Sequence, residues 1–214
     1  MTVSESTAGA PGLLADLTAD RALTVVRAPA LPDAAALCRA LAEGGIRTVE
    51  LTFTTPGVLG HLERAATVEG TNLGVGTVRT AAQARDAVNA GARFLVTPDV
   101  NEEVAEAARD LGTPIFLGAL TPTEVARAAA LGSVAVKIFP AKAFGPGYLK
   151  DLHGPFPGLP LLPSGGVSEG NAREFLGAGA VAVCAGTSVV PPDTVAAGDW
   201  ADITTRAARF VAAL

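Results

Sequence analysis

The sequence predicts one closed barrel of eight parallel strands, each followed by a helix. Three observations carry this reading. Short apolar runs alternate with amphipathic stretches eight times along the chain. The helical stretches open on capping residues and close on glycine, so the boundaries are chemically marked. Strands separated by helices must pair in parallel, and parallel strands buried on both faces read as continuous apolar runs. Eight such units in a chain of 214 residues fit a (β/α)₈ TIM barrel. The rival is an open doubly wound sheet. Its dinucleotide-binding form is disfavoured because no GxGxxG follows the first strand.

Residues 1–11 are small and polar and read as a flexible tail, leaving 12–214 as one barrel domain. Gly12 to Asp20 suits a short leading helix. The strands are expected at Leu23–Arg27, Thr48–Thr52, Leu73–Gly76, Phe94–Thr97, Ile115–Leu117, Ala135–Ile138, Leu161–Pro163 and Ala182–Cys184. Helical patterns begin near Pro32, Pro56, Thr80, Asn101, Pro122, Gly147 and Asn171, and a last helix covers Trp200 to Ala213. Thr121-Pro122-Thr123-Glu124 places a hydroxyl at the N-cap, proline in the first turn and an acid at the third position. Thr55-Pro56 repeats the cap-then-proline pairing. Gly44-Gly45, Gly91, Gly112, Gly132 and Gly179 each precede a strand, where a left-handed residue closes a helix.

A net charge of −5 argues against nucleic acid as the main partner, since phosphate backbones are bound by surplus Lys and Arg. It does not exclude a small anion held by a few local donors. Cys38 and Cys184 sit in apolar surroundings with no metal-ligand spacing, and read as buried free thiols. The carboxylates form no metal-binding pattern, and no metal is expected. The N-terminus lacks a signal-peptide pattern and no apolar run reaches a membrane-spanning length, so a cytoplasmic location is expected.

Three charged residues interrupt the apolar strands: Arg27 at the end of the first, Glu50 in the second and Lys137 in the sixth. In a barrel, active-site groups gather at the C-terminal ends of strands. Alternation puts Ala135, Lys137 and Phe139 on one face. An interior lysine loses the hydration of its ammonium, which makes the neutral amine accessible as a Schiff-base nucleophile. Glu50 is then placed to move protons. A buried Lys–Glu pair seldom improves stability over apolar residues, so a purely structural role is the weaker explanation. Arg27 is suited to fork onto a carboxylate.

Two Gly/Ser/Thr loops follow the seventh and eighth strands. Ser164, Gly165 and Gly166 lie in the first, Gly186 and Thr187 in the second. Barrels commonly build a phosphate site from these two loops, with backbone N–H groups and hydroxyls as donors. Thr77, after the third strand, is a candidate for the keto-acid end of a substrate. Pro98, after the fourth, would shape the pocket wall, and Phe139 joins them from the Lys137 face.

These residues resemble a known family. Val49-Glu50-Leu51-Thr52, Gly74-Val75-Gly76-Thr77-Val78, Thr97-Pro98, Lys137-Ile138-Phe139-Pro140-Ala141, Pro163-Ser164-Gly165-Gly166-Val167 and Ala185-Gly186-Thr187 are similar, in order and spacing, to the 2-keto-3-deoxy-6-phosphogluconate (KDPG) aldolases. The resemblance implies a class I aldolase without cofactor. It would cleave the phosphorylated keto acid to pyruvate and glyceraldehyde 3-phosphate, with 4-hydroxy-2-oxoglutarate as a further substrate. It implies Lys137 as the imine-forming residue, Glu50 as general acid/base, Gly165, Gly166 and Thr187 at the phosphate, and a homotrimer. One departure stands out: many members carry arginine where this chain has Thr54. A subgroup similar to the 6-phosphogalactonate-type aldolases instead has an arginine matching Arg27, and Ala143-Phe144-Gly145-Pro146 also resembles that subgroup. A phosphosugar epimerase on the same barrel predicts no imine, and a phosphometabolite-binding module predicts affinity without turnover.

Overall fold

A computed structural model describes residues 9–214. A helix over Ala10–Asp20 (α1) leads into strand β1 (Ala22–Val26). Then follow α2 (Ala34–Glu43), β2 (Thr48–Thr52), α3 (Val58–Ala65), β3 (Asn72–Gly76), α4 (Ala81–Asn89), β4 (Leu95–Val96) and α5 (Glu102–Asp110). The fifth barrel strand has two pieces, β5 (Ile115–Phe116) and β6 (Gly118–Ala119). The chain continues with α6 (Pro122–Ala130), β7 (Val136–Ile138), α7 (Gly147–His153), β8 (Leu161–Pro163), α8 (Ala172–Gly177), β9 (Val183–Ala185), α9 (Pro192–Ala197) and α10 (Trp200–Ala212).

All strand pairs are parallel, in the orders β5-β4-β3-β2-β1-β9 and β6-β7-β8. Leu117 joins the two sheets, because its carbonyl accepts from Lys137 N–H at 2.9 Å while Ile115 O accepts from Val134 N–H. The other seam closes where Val181 N–H donates to Leu161 O at 3.0 Å. The ring is therefore complete, and the eight expected strands each have their place in it.

Alternation divides the core in two. Val49, Leu51, Val136 and Ile138 face outward, into the layer packed against the helices. Leu23, Phe94, Val96, Phe116, Ala135, Leu162 and Cys184 face inward, and Leu13 and Leu17 of α1 pack with them. Helix α1 thus plugs the barrel at the end opposite the strand C-termini. Phe94 and Phe116 meet edge to face, ring centroids 5.6 Å apart.

Several expected boundaries shift. Helix α1 begins at Ala10, inside the expected tail, and residues 1–8 of that tail lie outside the described residues. Thr55 does not cap α3. That helix starts at Val58 behind Gly57, which takes φ 69°, while buried Thr55 accepts from Ala28 N–H with its hydroxyl. A tertiary acceptor role has displaced the local capping one. The capping box at Thr121 and Glu124 forms as read. Gly45, Gly91, Gly112, Gly132 and Gly179 are left-handed, whereas Gly44 is right-handed. Helix α9 was not anticipated.

Candidate active site

Lys137 and Glu50 meet inside the barrel. Glu50 projects inward from the middle of β2 and is 1% exposed; Lys137 projects from the middle of β7 and is 6% exposed. Lys137 Nζ lies 3.5 Å from Glu50 Oε2 and 5.8 Å from the centroid of the Phe139 ring. Each is flanked by outward-facing apolar residues, so local alternation alone aims both at the axis.

The carboxylate needs space on the neighbouring strand. Gly76 of β3 provides it: a Cβ there would fall on Glu50 Oε1 and lie 2.6 Å from Glu50 Cγ. Gly76 is absent from the positive-φ residues, so its requirement is room rather than backbone conformation. Gly74, one step deeper, leaves room for the Phe94 ring, which a Cβ would meet at 2.5 Å.

Above this pair a cavity of about 490 Å³ opens at the C-terminal end of the barrel. Arg27, Phe139, Ser164, Gly165, Gly166, Gly186 and Thr187 line it, all of them expected from the sequence. Arg27 is exposed, yet its backbone is pinned to the second strand on both sides. Thr52 hydroxyl donates to Val26 O at 3.0 Å, and Thr55 hydroxyl accepts from Ala28 N–H at 3.3 Å. Thr54 spends its hydroxyl on Thr52, at 2.8 Å.

The loop after β8 is fixed from within. Asn171 donates to Gly166 O at 2.9 Å and accepts from Ser168 N–H at 2.8 Å. Gly165 and Gly166 both take φ 86°, a conformation that favours glycine. Among the described residues, the N–H groups of Gly165, Gly166, Val167, Gly186, Thr187 and Ser188 donate to no protein acceptor. Ser188 Oγ is buried without a partner. Two strand-end loops thus present unspent donors to one cavity, an arrangement suited to an anion.

Thr77 and Pro98, like Lys137 and Glu50, are not among the residues lining this cavity. Thr77 follows Gly76 at the end of β3 with φ 59°, and the Pro98 carbonyl lies against Gly118 of the neighbouring strand, where a Cβ would strike it. Val167, Ser168 and Ser188, from the two loops expected at the phosphate, also line the cavity, and so do Val25 and Cys184, to which the sequence assigned no place at the site. Inward alternation from Arg27 was the signal for Val25, while Cys184 reads as core.

Cys38 and Cys184 are free and buried, as expected. Burial pushes both thiols up to about 12, and at Cys184 the Lys137 ammonium lowers the value while the Glu50 carboxylate raises it. A native thiol that ionises only near pH 12 is a poor nucleophile at neutral pH. We expect a disulfide reagent at pH 8 to leave both cysteines unmodified in the native protein and to label both after denaturation. Native labelling on the denatured timescale would contradict the burial. In the unfolded chain the thiols ionise near 9.0, so their contribution to stability is intact below that pH and falls as pH rises towards 12.

The sequence profile for KDPG and KHG aldolase matches residues 14–206. The chain is 36% identical over 189 residues to the 2-dehydro-3-deoxy-phosphogluconate aldolase of Treponema pallidum, covering 86% of this chain and 89% of that protein. It is 32% identical over 197 residues to the KHG/KDPG aldolase of Escherichia coli K12, covering 91% and 92%. The structure of KDPG aldolase from Legionella pneumophila, with pyruvate captured at low pH as a covalent carbinolamine intermediate, superposes with a TM-score of 0.84. That match has 32% identity and covers 91% of this chain and 96% of that one. With a profile match over residues 14–206 and relatives 32–36% identical across most of their length, the chain belongs to the KDPG and KHG aldolase family.

Proposed function

We propose that this protein is a class I aldolase that reversibly cleaves 2-keto-3-deoxy-6-phosphogluconate to pyruvate and glyceraldehyde 3-phosphate, with Lys137 as the imine-forming residue. The observation that carries the reading is the Lys137–Glu50 pair, buried beneath a donor-lined cavity at the active-site end of a closed barrel. A buried amine 3.5 Å from a carboxylate has its proton acceptor built in.

Lys137 Nζ attacks the C2 keto carbon, forming a C–N bond, and the carbinolamine loses its hydroxyl as water to give the imine. Glu50 transfers the protons these steps require. It next removes the proton of the C4 hydroxyl. The C3–C4 bond breaks, its electron pair flows into the imine, and glyceraldehyde 3-phosphate departs. The enamine left on Lys137 regains a proton at C3, and water releases pyruvate. Ser164, with the Gly165–Gly166 and Gly186–Ser188 segments, offers donors to the phosphate. Arg27 holds the carboxylate, a role open to it because Thr54 carries no charge. Cleavage of 4-hydroxy-2-oxoglutarate follows the same steps without the phosphate. The reading extends to a cytoplasmic homotrimer, the state the family resemblance implies.

A second reading concerns stereochemistry at C4. Arg27 on the cavity wall, in place of an arginine at residue 54, favours the galacto epimer. Pyruvate release coupled to lactate dehydrogenase, measured on the gluco and galacto acids in parallel, decides between them. Cleavage of one or both is the expected result. Failure on both, with no pyruvate adduct trapped by borohydride, would return the barrel to the epimerase or binding-module readings.

A further inference from the structure

The donors around the cavity are nearly all neutral; among the described residues Arg27 is the one charged residue that lines it. A lysine nevertheless lies across the anion loop. Lys142, four residues past the Ile138 end of β7, is exposed, and its N–H donates to Gly165 O at 3.0 Å. A Cβ placed on Gly166 would meet Lys142 Cβ at 2.5 Å, and its Cγ and Cδ at 3.2 Å. The aliphatic stem therefore runs over the face of Gly166, and the ammonium follows two bonds beyond Cδ. Rotation about those last bonds leaves the charge beside the Gly165–Gly166 turn. Long lysine stems lie on apolar or backbone surface in this way while the head stays in water.

Among the described residues, no carboxylate pairs with Lys142. The nearest acid along the loop, Glu169, is held by Arg209 at 2.9 Å. Among the described residues the ammonium is thus uncommitted, and its stem lies over Gly166, a cavity-lining residue whose N–H is unspent.

We propose that Lys142 is a specificity-determining residue that supplies positive charge to the phosphate group of the substrate and so selects phosphorylated keto acids over unphosphorylated ones. The inference rests on the phosphate assignment made above. Neutral N–H donors and hydroxyls recognise an oxyanion by hydrogen bonding, while a lysine adds a charge-assisted contact that favours a phosphate dianion over the single carboxylate charge at the far end of 4-hydroxy-2-oxoglutarate. Its exposure leaves it screened by solvent, so the effect is moderate and salt-dependent.

The test compares wild type, Lys142→Ala and Lys142→Arg on the phosphorylated keto acid and on 4-hydroxy-2-oxoglutarate at two ionic strengths. The ratio of kcat/KM for the phosphorylated over the unphosphorylated substrate should fall about five- to tenfold in Lys142→Ala, chiefly through KM. Lys142→Arg should restore most of it, and raising the salt should narrow the gap. An unchanged ratio, or an equal loss on both substrates, overturns the proposal. Titration with inorganic phosphate, followed by phosphorus NMR, asks the same question without turnover. Weaker phosphate binding in Lys142→Ala supports the charge contact even if neither acid is cleaved, in which case the aldolase reading alone fails. Identical phosphate binding in the two proteins overturns the contact.

Discussion

Lys137→Ala should abolish the borohydride-trapped pyruvate adduct and lower kcat/KM for cleavage at least about a thousandfold, because every step of the reaction runs through the imine. The same substitution leaves Glu50, 1% exposed, without its cation. An unpaired buried charge costs about 3–5 kcal/mol, so lost activity alone would be ambiguous. Lys137→Arg separates the two effects. Arginine keeps a cation opposite Glu50 but stays protonated and forms no imine under these conditions. A folded Lys137→Arg protein without adduct or cleavage is the expected result. Adduct formation at an undiminished rate in either variant would remove Lys137 from the mechanism, whatever the barrel geometry suggests.

Gly76→Ala carries the second large effect, although this residue bears no functional group. Its added methyl would occupy the space of the Glu50 carboxylate, which must then leave its slot and its 3.5 Å contact with Lys137. We expect cleavage to fall about a hundred- to a thousandfold, the range of a lost general acid/base, while pyruvate can still be trapped at a reduced rate. Overpacking also costs about 1–3 kcal/mol, and Gly74→Ala is the control for that cost. There the new methyl meets the Phe94 ring at 2.5 Å, away from the carboxylate, so stability should drop with far less effect on the activity of the folded fraction. Equal activity losses at Gly74 and Gly76 in the folded fraction would reduce Gly76 to a packing residue.

The periodic features of this chain were legible in its residues. A buried parallel strand announces itself as a continuous apolar run, so a lone Glu50 or Lys137 within one is conspicuous without any three-dimensional information. Alternation then places both on the inner face, and the loops after β8 and β9 display glycine and hydroxyl residues directly. The Lys137–Glu50 contact itself could be anticipated, because a barrel brings all inward residues of one level to a common axis.

What the residues did not show depends on contacts between segments distant in sequence. Thr55 reads as a helix cap until β1 is laid beside it and its hydroxyl receives Ala28 N–H. Leu117 reads as the end of a strand, yet it is the link between the two sheets, since its carbonyl pairs with the N–H of Lys137. Cys184 reads as core, but the same inward position that buries it makes it part of the cavity floor. The close approach of the Pro98 carbonyl to Gly118 of the neighbouring strand could not be read from either segment. The sequence by itself determined the alternation of elements, the inward charges and the glycine- and hydroxyl-bearing loops, because each follows from local periodicity or turn chemistry. Only the tertiary structure decided which glycine makes room for Glu50, which donors remain unspent and where Lys142 lies, because these depend on register across the closed ring.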